Sequence, residues 1–206
     1  MPERTIAHYH QHAKHYQAQY NSVPAEEVHG DWAHLLAGRT QGQALDVGAG
    51  SGRDALWLST LGWAVTAAEP AQRLRELGEQ ATGKRVRWVD ARLPSLSSLA
   101  GPSGGYDLII LSAVWMHLPA SERPLALQRL SRLLANTGLL IITLRFGPSD
   151  PARPMFPVST AELNALARDT GLQMQLINTQ ASHDRLKRAD VSWQTALLQH
   201  QTEPQA

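Results

Sequence analysis

The 206-residue chain contains no cysteine. Disulfides and thiol chemistry are therefore excluded, and the cytoplasm is the expected compartment. Long apolar runs are missing as well. The longest, Leu108 to Val114 and Leu139 to Leu144, fall far short of the roughly 18 residues that span a bilayer, so no membrane association is expected. No charged-then-apolar leader opens the chain. Nor does charge of one sign dominate: 19 basic and 18 acidic residues give a net charge of +1. With no basic run and no aromatic–basic pattern, a nucleic-acid partner is not expected. Internal repeats and low-complexity blocks are absent, and the length suits one domain with a real core.

What is present centres on Ala44-Leu45-Asp46-Val47-Gly48-Ala49-Gly50-Ser51-Gly52-Arg53-Asp54. A short apolar strand, a turn of alternating glycines and a helix open a βαβ unit. Glycines at 48, 50 and 52 allow positive φ and leave no Cβ between backbone and ligand, and N–H groups at the helix start face that ligand. A dinucleotide turn carries its third glycine three residues after the second; here that position is Arg53. Asp46, two residues before the first glycine, repels pyrophosphate and suits a ligand carrying ammonium and sulfonium charges. An NAD(P)-dependent oxidoreductase is thus the disfavoured alternative.

Twenty-three residues after Asp46, Glu69 closes the next predicted strand, Ala64 to Ala68. An acid at the end of this second strand of an open α/β sheet accepts ribose hydroxyls. Further strands are expected at Val86 to Val89, Tyr106 to Ser112, Leu139 to Leu144, Leu172 to Asn178 and Val191 to Leu198. Helices are expected at Arg53 to Leu61, Gln72 to Gln80, Glu122 to Leu134 and from the capping box at Ser159-x-x-Glu162 to Asp169. Near the N-terminus one helix is expected over residues 5 to 21, with Tyr9, Ala13, Tyr16 and Tyr20 on one stripe and His8, His12 and His15 on another. Those histidines have no carboxylate or cysteine companion at ligand spacing, so no metal is expected.

The glycine turn resembles motif I of the class I S-adenosylmethionine-dependent methyltransferases. The likeness extends over about residues 44 to 146, and in outline over 160 to 198. It implies a Rossmann-like, doubly wound, seven-stranded and mostly parallel α/β sheet whose last strand is antiparallel. Residues 1–43 become an N-terminal helical lid segment, 44–198 the methyltransferase domain and 199–206 a flexible tail. S-adenosyl-L-methionine is the implied cofactor. It is held by Asp46, Gly48, Ala49, Gly50 and Arg53, by Glu69 and Pro70, by Asp90 and Ala91 at the adenine, by Ser112, and by Tyr16 or Tyr20 from the lid. His117 is the candidate general base, and Trp115, Met116 and Arg145 line the acceptor site, with Arg153 folding over it. No Asn/Asp-Pro-Pro-aromatic element for amide or base nitrogens is present, so the acceptor is expected to be a small molecule, anionic if Arg145 clamps it. The assembly is expected to be a monomer or homodimer. A catalytically silent, cofactor-binding partner protein is the other alternative.

Overall fold

The computed structural model describes residues 1–178 and 181–201. Eight strands form one sheet: β1 (Gln43–Val47), β2 (Ala64–Ala68), β3 (Val86–Val89), β4 (Tyr106–Leu111), β5 (Leu134–Phe146), β6 (Leu172–Leu176), β7 (Ser182–His183) and β8 (Ser192–His200). Their order is β3-β2-β1-β4-β5-β8-β6, with the short β7 added against β8. The strands β1 to β5 pair in parallel, whereas β8 is antiparallel to both β5 and β6. Apart from β7, this is the expected seven-stranded sheet. Side chains alternate between its faces. Leu45, Val47, Ile109, Leu111, Leu140 and Ile142 pack under α6 (Arg123–Leu133) and α7 (Thr160–Asp169). On the other face Ala44, Val65, Ala67, Leu108 and Ile110 pack with Ala55, Trp57 and Leu58 of α4 (Arg53–Thr60). The order reverses between β1 and β4, and that switch point opens the crevice in which α/β sheets bind ligands.

Three elements depart from expectation. The N-terminal helix is two helices, α1 (Glu3–Gln11) and α2 (Ala13–Asn21), broken at His12, whose φ of −108° and ψ of 23° leave helical geometry. The reason is tertiary: both pieces pack on α5 (Gln72–Thr82), where Ala13 and Tyr16 meet Leu74 and Leu77. Strand β5 starts five residues earlier than its apolar run, because backbone pairing of Leu134 with Tyr106 holds Asn136-Thr137 extended although both are exposed. The expected tail is also shorter at its start: Gln199 and His200 pair with Gln173 and Leu172. Of that tail, residues 202–206 lie outside the described residues. Of the expected capping box the forward half forms, Ser159 Oγ accepting from the Glu162 N–H, while the Glu162 carboxylate pairs with Arg123.

Candidate active site

The glycine turn is folded by contacts that only glycine permits. Gly48 has φ +71°, and a Cβ there would lie 2.5 Å from Val114 Cγ2. Gly50, at φ +56°, faces the ring of Tyr20. Above this turn lies a first cavity lined by Gly48, Ala49, Gly50, Ser51, Arg53, Asp54, Glu69, Ser112, His117, Tyr9 and Tyr20. Glu69 is its anchor. One carboxylate oxygen accepts from Gly50 N–H at 2.9 Å and the other from Ala71 N–H at 2.7 Å. Burial dominates these bonds and pushes the carboxyl up to about 7.

Asp46 does not face this cavity. It lies on the face of β1 shared with Ala44, so its side chain points beneath α4, where the Ala55 N–H donates to it, and Oδ2 has no hydrogen-bond partner. Burial raises its pKa, with Asp54 and Glu69 adding to the rise and Arg53 opposing it. Burial alone would raise Asp54 too, but His29, 3.1 Å away, and Arg53, at 2.7 Å, hold it well below the carboxylate range. Two buried carboxylates, Asp46 and Asp54, therefore share one guanidinium, that of Arg53, while Glu69 in the cavity has Arg75 as its nearest cation. Of the three, Glu69 is the cavity carboxylate not already paired with a basic side chain, and a cationic ligand such as a sulfonium suits a cavity holding it.

A second cavity, holding about 140 Å³, adjoins the first and shares Tyr9, Tyr20, Arg53, Ser112 and Ala113 with it. Its far walls are Met116, Thr143, Met155, Trp193 and the arginines 145, 153 and 188. Ala113, at the junction, holds a φ of +60° that non-glycine residues rarely adopt; its N–H donates to Thr143 Oγ1 at 2.8 Å. Arg188 is neutralised by Asp184, which also accepts from Trp193 Nε1. Burial works against the Asp184 charge, but Arg188 and Trp193 hold its carboxyl down to about 2. Arg153 pairs with Asp150 and lies over the Tyr16 ring at 5.1 Å. Arg145 differs: it is 8 % exposed, donates to the Pro148 carbonyl, and its Nε has no partner. Among the described residues no carboxylate lies within ion-pair distance of it, since Asp150 is taken by Arg153 and Glu162 by Arg123.

The remaining expected site residues are distributed unevenly. Tyr20, Ala49, Arg53, Ser112, Met116 and Arg145 line one or both cavities. Trp115 does not; it is fully buried in the core under α6. Tyr16 is buried against α5 and bonds His8, docking α2 rather than lining either cavity. Asp90 is exposed and pairs with Arg75, Ala91 belongs to the core, and neither they nor Pro70 borders the cavity beside Glu69. His117 gives both ring nitrogens to the protein: Nδ1 lies 3.0 Å from the Pro154 carbonyl and Nε2 3.1 Å from the Tyr9 hydroxyl. Burial, reinforced by Arg153 and Arg145, lowers its pKa to about 4. The important omission from the expected site residues is Tyr9, which, like Tyr20, borders both cavities.

Residues 45–142 match the family model described as a methyltransferase domain. No curated protein matches the chain. Among solved structures, one similar fold is 1,6-didemethyltoxoflavin-N1-methyltransferase of Burkholderia thailandensis, crystallised with 1,6-didemethyltoxoflavin and S-adenosylhomocysteine. It has 19 % identity and a TM-score of 0.72, over 96 % of this chain and 88 % of that one. A TehB-like SAM-dependent methyltransferase of Corynebacterium glutamicum follows at 21 % identity and TM-score 0.67, over 93 % and 99 % of the two chains. Magnesium protoporphyrin IX methyltransferase of Synechocystis, with bound SAM, gives 19 % and 0.60 over 93 % and 80 %.

Proposed function

From a chain whose residues 45–142 are a methyltransferase domain on the class I fold, we propose an enzyme that transfers a methyl group from S-adenosylmethionine to a small anionic acceptor. The observation that carries the reading is the pair of adjoining cavities: one with a buried carboxylate bonded by the Gly50 and Ala71 N–H groups, the other with a buried arginine that no carboxylate pairs among the described residues. When bound, S-adenosylmethionine supplies a methyl carbon on a sulfonium that carries its own leaving group. The Gly48–Gly50 turn and Glu69 would hold the nucleoside, with Glu69 accepting from the ribose hydroxyls. Glu69, when ionised, favours the positive charge. Structures of similar fold bound to S-adenosylmethionine or its demethylated product support this choice of cofactor.

The protein's part is then alignment and exclusion of water. Arg145 presents a planar fork suited to a carboxylate or phosphate, and a cavity near 140 Å³ is on the scale that admits a single small ring. The N-terminal helices, bent at His12, cover the junction with Tyr9 and Tyr20 and act as a lid. Two measurements test the reading. Calorimetry should show S-adenosylmethionine binding in the micromolar range, roughly −8 kcal/mol; tight NADH binding without it refutes the assignment. Once labelled cofactor has identified an acceptor, Arg145→Lys should lose roughly 1–3 kcal/mol in kcat/KM on the anion and much less on its ester or amide. Equal losses on both would remove the anion from the proposal.

A further inference from the structure

Tyr9 sits where the two cavities meet, and one of its hydrogen-bond positions is only weakly filled. The Pro154 carbonyl can only accept, so Nδ1 of the neutral His117 ring carries the proton and Nε2 is an acceptor. The Tyr9 O–H therefore donates to Nε2 at 3.1 Å. A phenol oxygen that has spent its proton can still accept two bonds. Arg153 Nη1 fills one at 2.9 Å. The other accepts only the Tyr20 O–H at 3.5 Å, a distance at the limit of a hydrogen bond, so a donor on a ligand can displace it. His117 is 1 % exposed and Tyr9 half-buried, so a ligand in the second cavity meets the tyrosine. The charged groups facing the pair are Arg153, Arg145 and the amino terminus.

We propose that Tyr9 meets the reacting atom of the acceptor, and that this atom arrives as an O–H or N–H whose proton Tyr9 takes. The inference rests on the methyltransferase reading and deepens it. A carboxylate, thioether or other group without a proton cannot donate to this weakly filled position on Tyr9, so the anion held by Arg145 and the atom that is methylated are different groups of one molecule. In the step itself the acceptor atom bonds the methyl carbon while the carbon–sulfur bond breaks, its electron pair staying on sulfur. The acceptor proton passes to the Tyr9 oxygen and the Tyr9 proton to Nε2 of His117. The site's positive charge is conserved, lost at sulfur and regained on the imidazole. Arg153 holds the Tyr9 oxygen in place between the two transfers.

The test uses the protein loaded with S-adenosylhomocysteine and four single-ring probes: benzoate and the three hydroxybenzoates. By calorimetry at least one hydroxybenzoate should bind about tenfold more tightly than benzoate, as expected for one hydrogen bond in a buried site. Tyr9→Phe should erase that preference, so that the hydroxybenzoate and benzoate bind the variant equally. With S-adenosylmethionine and the preferred isomer, Tyr9→Phe and His117→Gln should each lower kcat about 10²–10⁴-fold. The wild-type solvent isotope effect should vanish in Tyr9→Phe. Thermal melts separate loss of fold from loss of proton transfer, and Tyr9→Phe, which deletes one oxygen, guards against an unfolded His117→Gln. Equal affinity for benzoate and all three hydroxybenzoates, a preference surviving in Tyr9→Phe, or methylation of the benzoate carboxylate each overturns the proposal. Failure of S-adenosylhomocysteine to bind at all would instead overturn the underlying methyltransferase reading.

Discussion

Glu69 makes cofactor binding depend on pH in a direction the structure dictates. Its carboxyl, pushed up to about 7 by burial, must be ionised to accept from two ribose hydroxyls while Gly50 and Ala71 also donate to it. If the ligand binds only the carboxylate, the apparent Kd scales as one plus the ratio of protonated to ionised Glu69. Lowering pH from 7.5 to 6 then raises Kd roughly eightfold, about 1.3 kcal/mol. The unliganded protein should show the opposite trend in stability. The folded-state value lies above the ordinary 4.5, so the native state holds this proton more tightly than the unfolded chain. The resulting stabilisation is present below about 4.5, is lost as pH rises through 7, and amounts to about 3 kcal/mol. Calorimetry of S-adenosylhomocysteine and urea unfolding, each at several pH values between 5 and 7.5, read the two slopes. Glu69→Gln should bind weakly, because an amide N–H₂ then faces a backbone donor, but without the pH slope. A wild-type Kd that is flat between pH 6 and 7.5, or a slope retained in Glu69→Gln, would refute the reasoning.

Other outcomes follow from single contacts. Gly48→Ala forces a Cβ to within 2.5 Å of Val114 at positive φ and should cost on the order of 1–3 kcal/mol of stability, with cofactor affinity falling in parallel by calorimetry. Arg123, 1 % exposed, donates to the Leu118 and Pro157 carbonyls and pairs with Glu162; Arg123→Ala should destabilise by roughly 3–5 kcal/mol in urea titrations, because it leaves buried acceptors unpaired. Hydrogen exchange in residues 3 to 21 should slow when cofactor binds, if Tyr9 and Tyr20 close over it; unchanged protection would make α1 and α2 plain packing elements.

The sheet and the glycine turn were legible in the sequence because both rest on local rules. Apolar runs of four to seven residues between helical patterns give parallel strands, and alternating glycines before a helix give a backbone anion-and-sugar cradle. Glu69 was found by its distance along the chain from Asp46, since one βαβ unit has a nearly fixed length. What the tertiary structure alone decided lies where side chains from distant segments compete for the same space. Asp46 turned beneath α4 because strand parity puts it on the face of Ala44. Trp115 went into the core under α6 and left Met116 at the cavity. The break at His12 folded a tyrosine stripe back on itself, so that the hydroxyls of Tyr9 and Tyr20 come within 3.5 Å; a straight helix would separate these residues by about 16 Å along its axis. Whether Arg145 had an acid partner depended on which carboxylates other arginines claimed, Asp150 by Arg153 and Glu162 by Arg123. Spacing along a chain does not encode that competition, because it is settled by three-dimensional proximity.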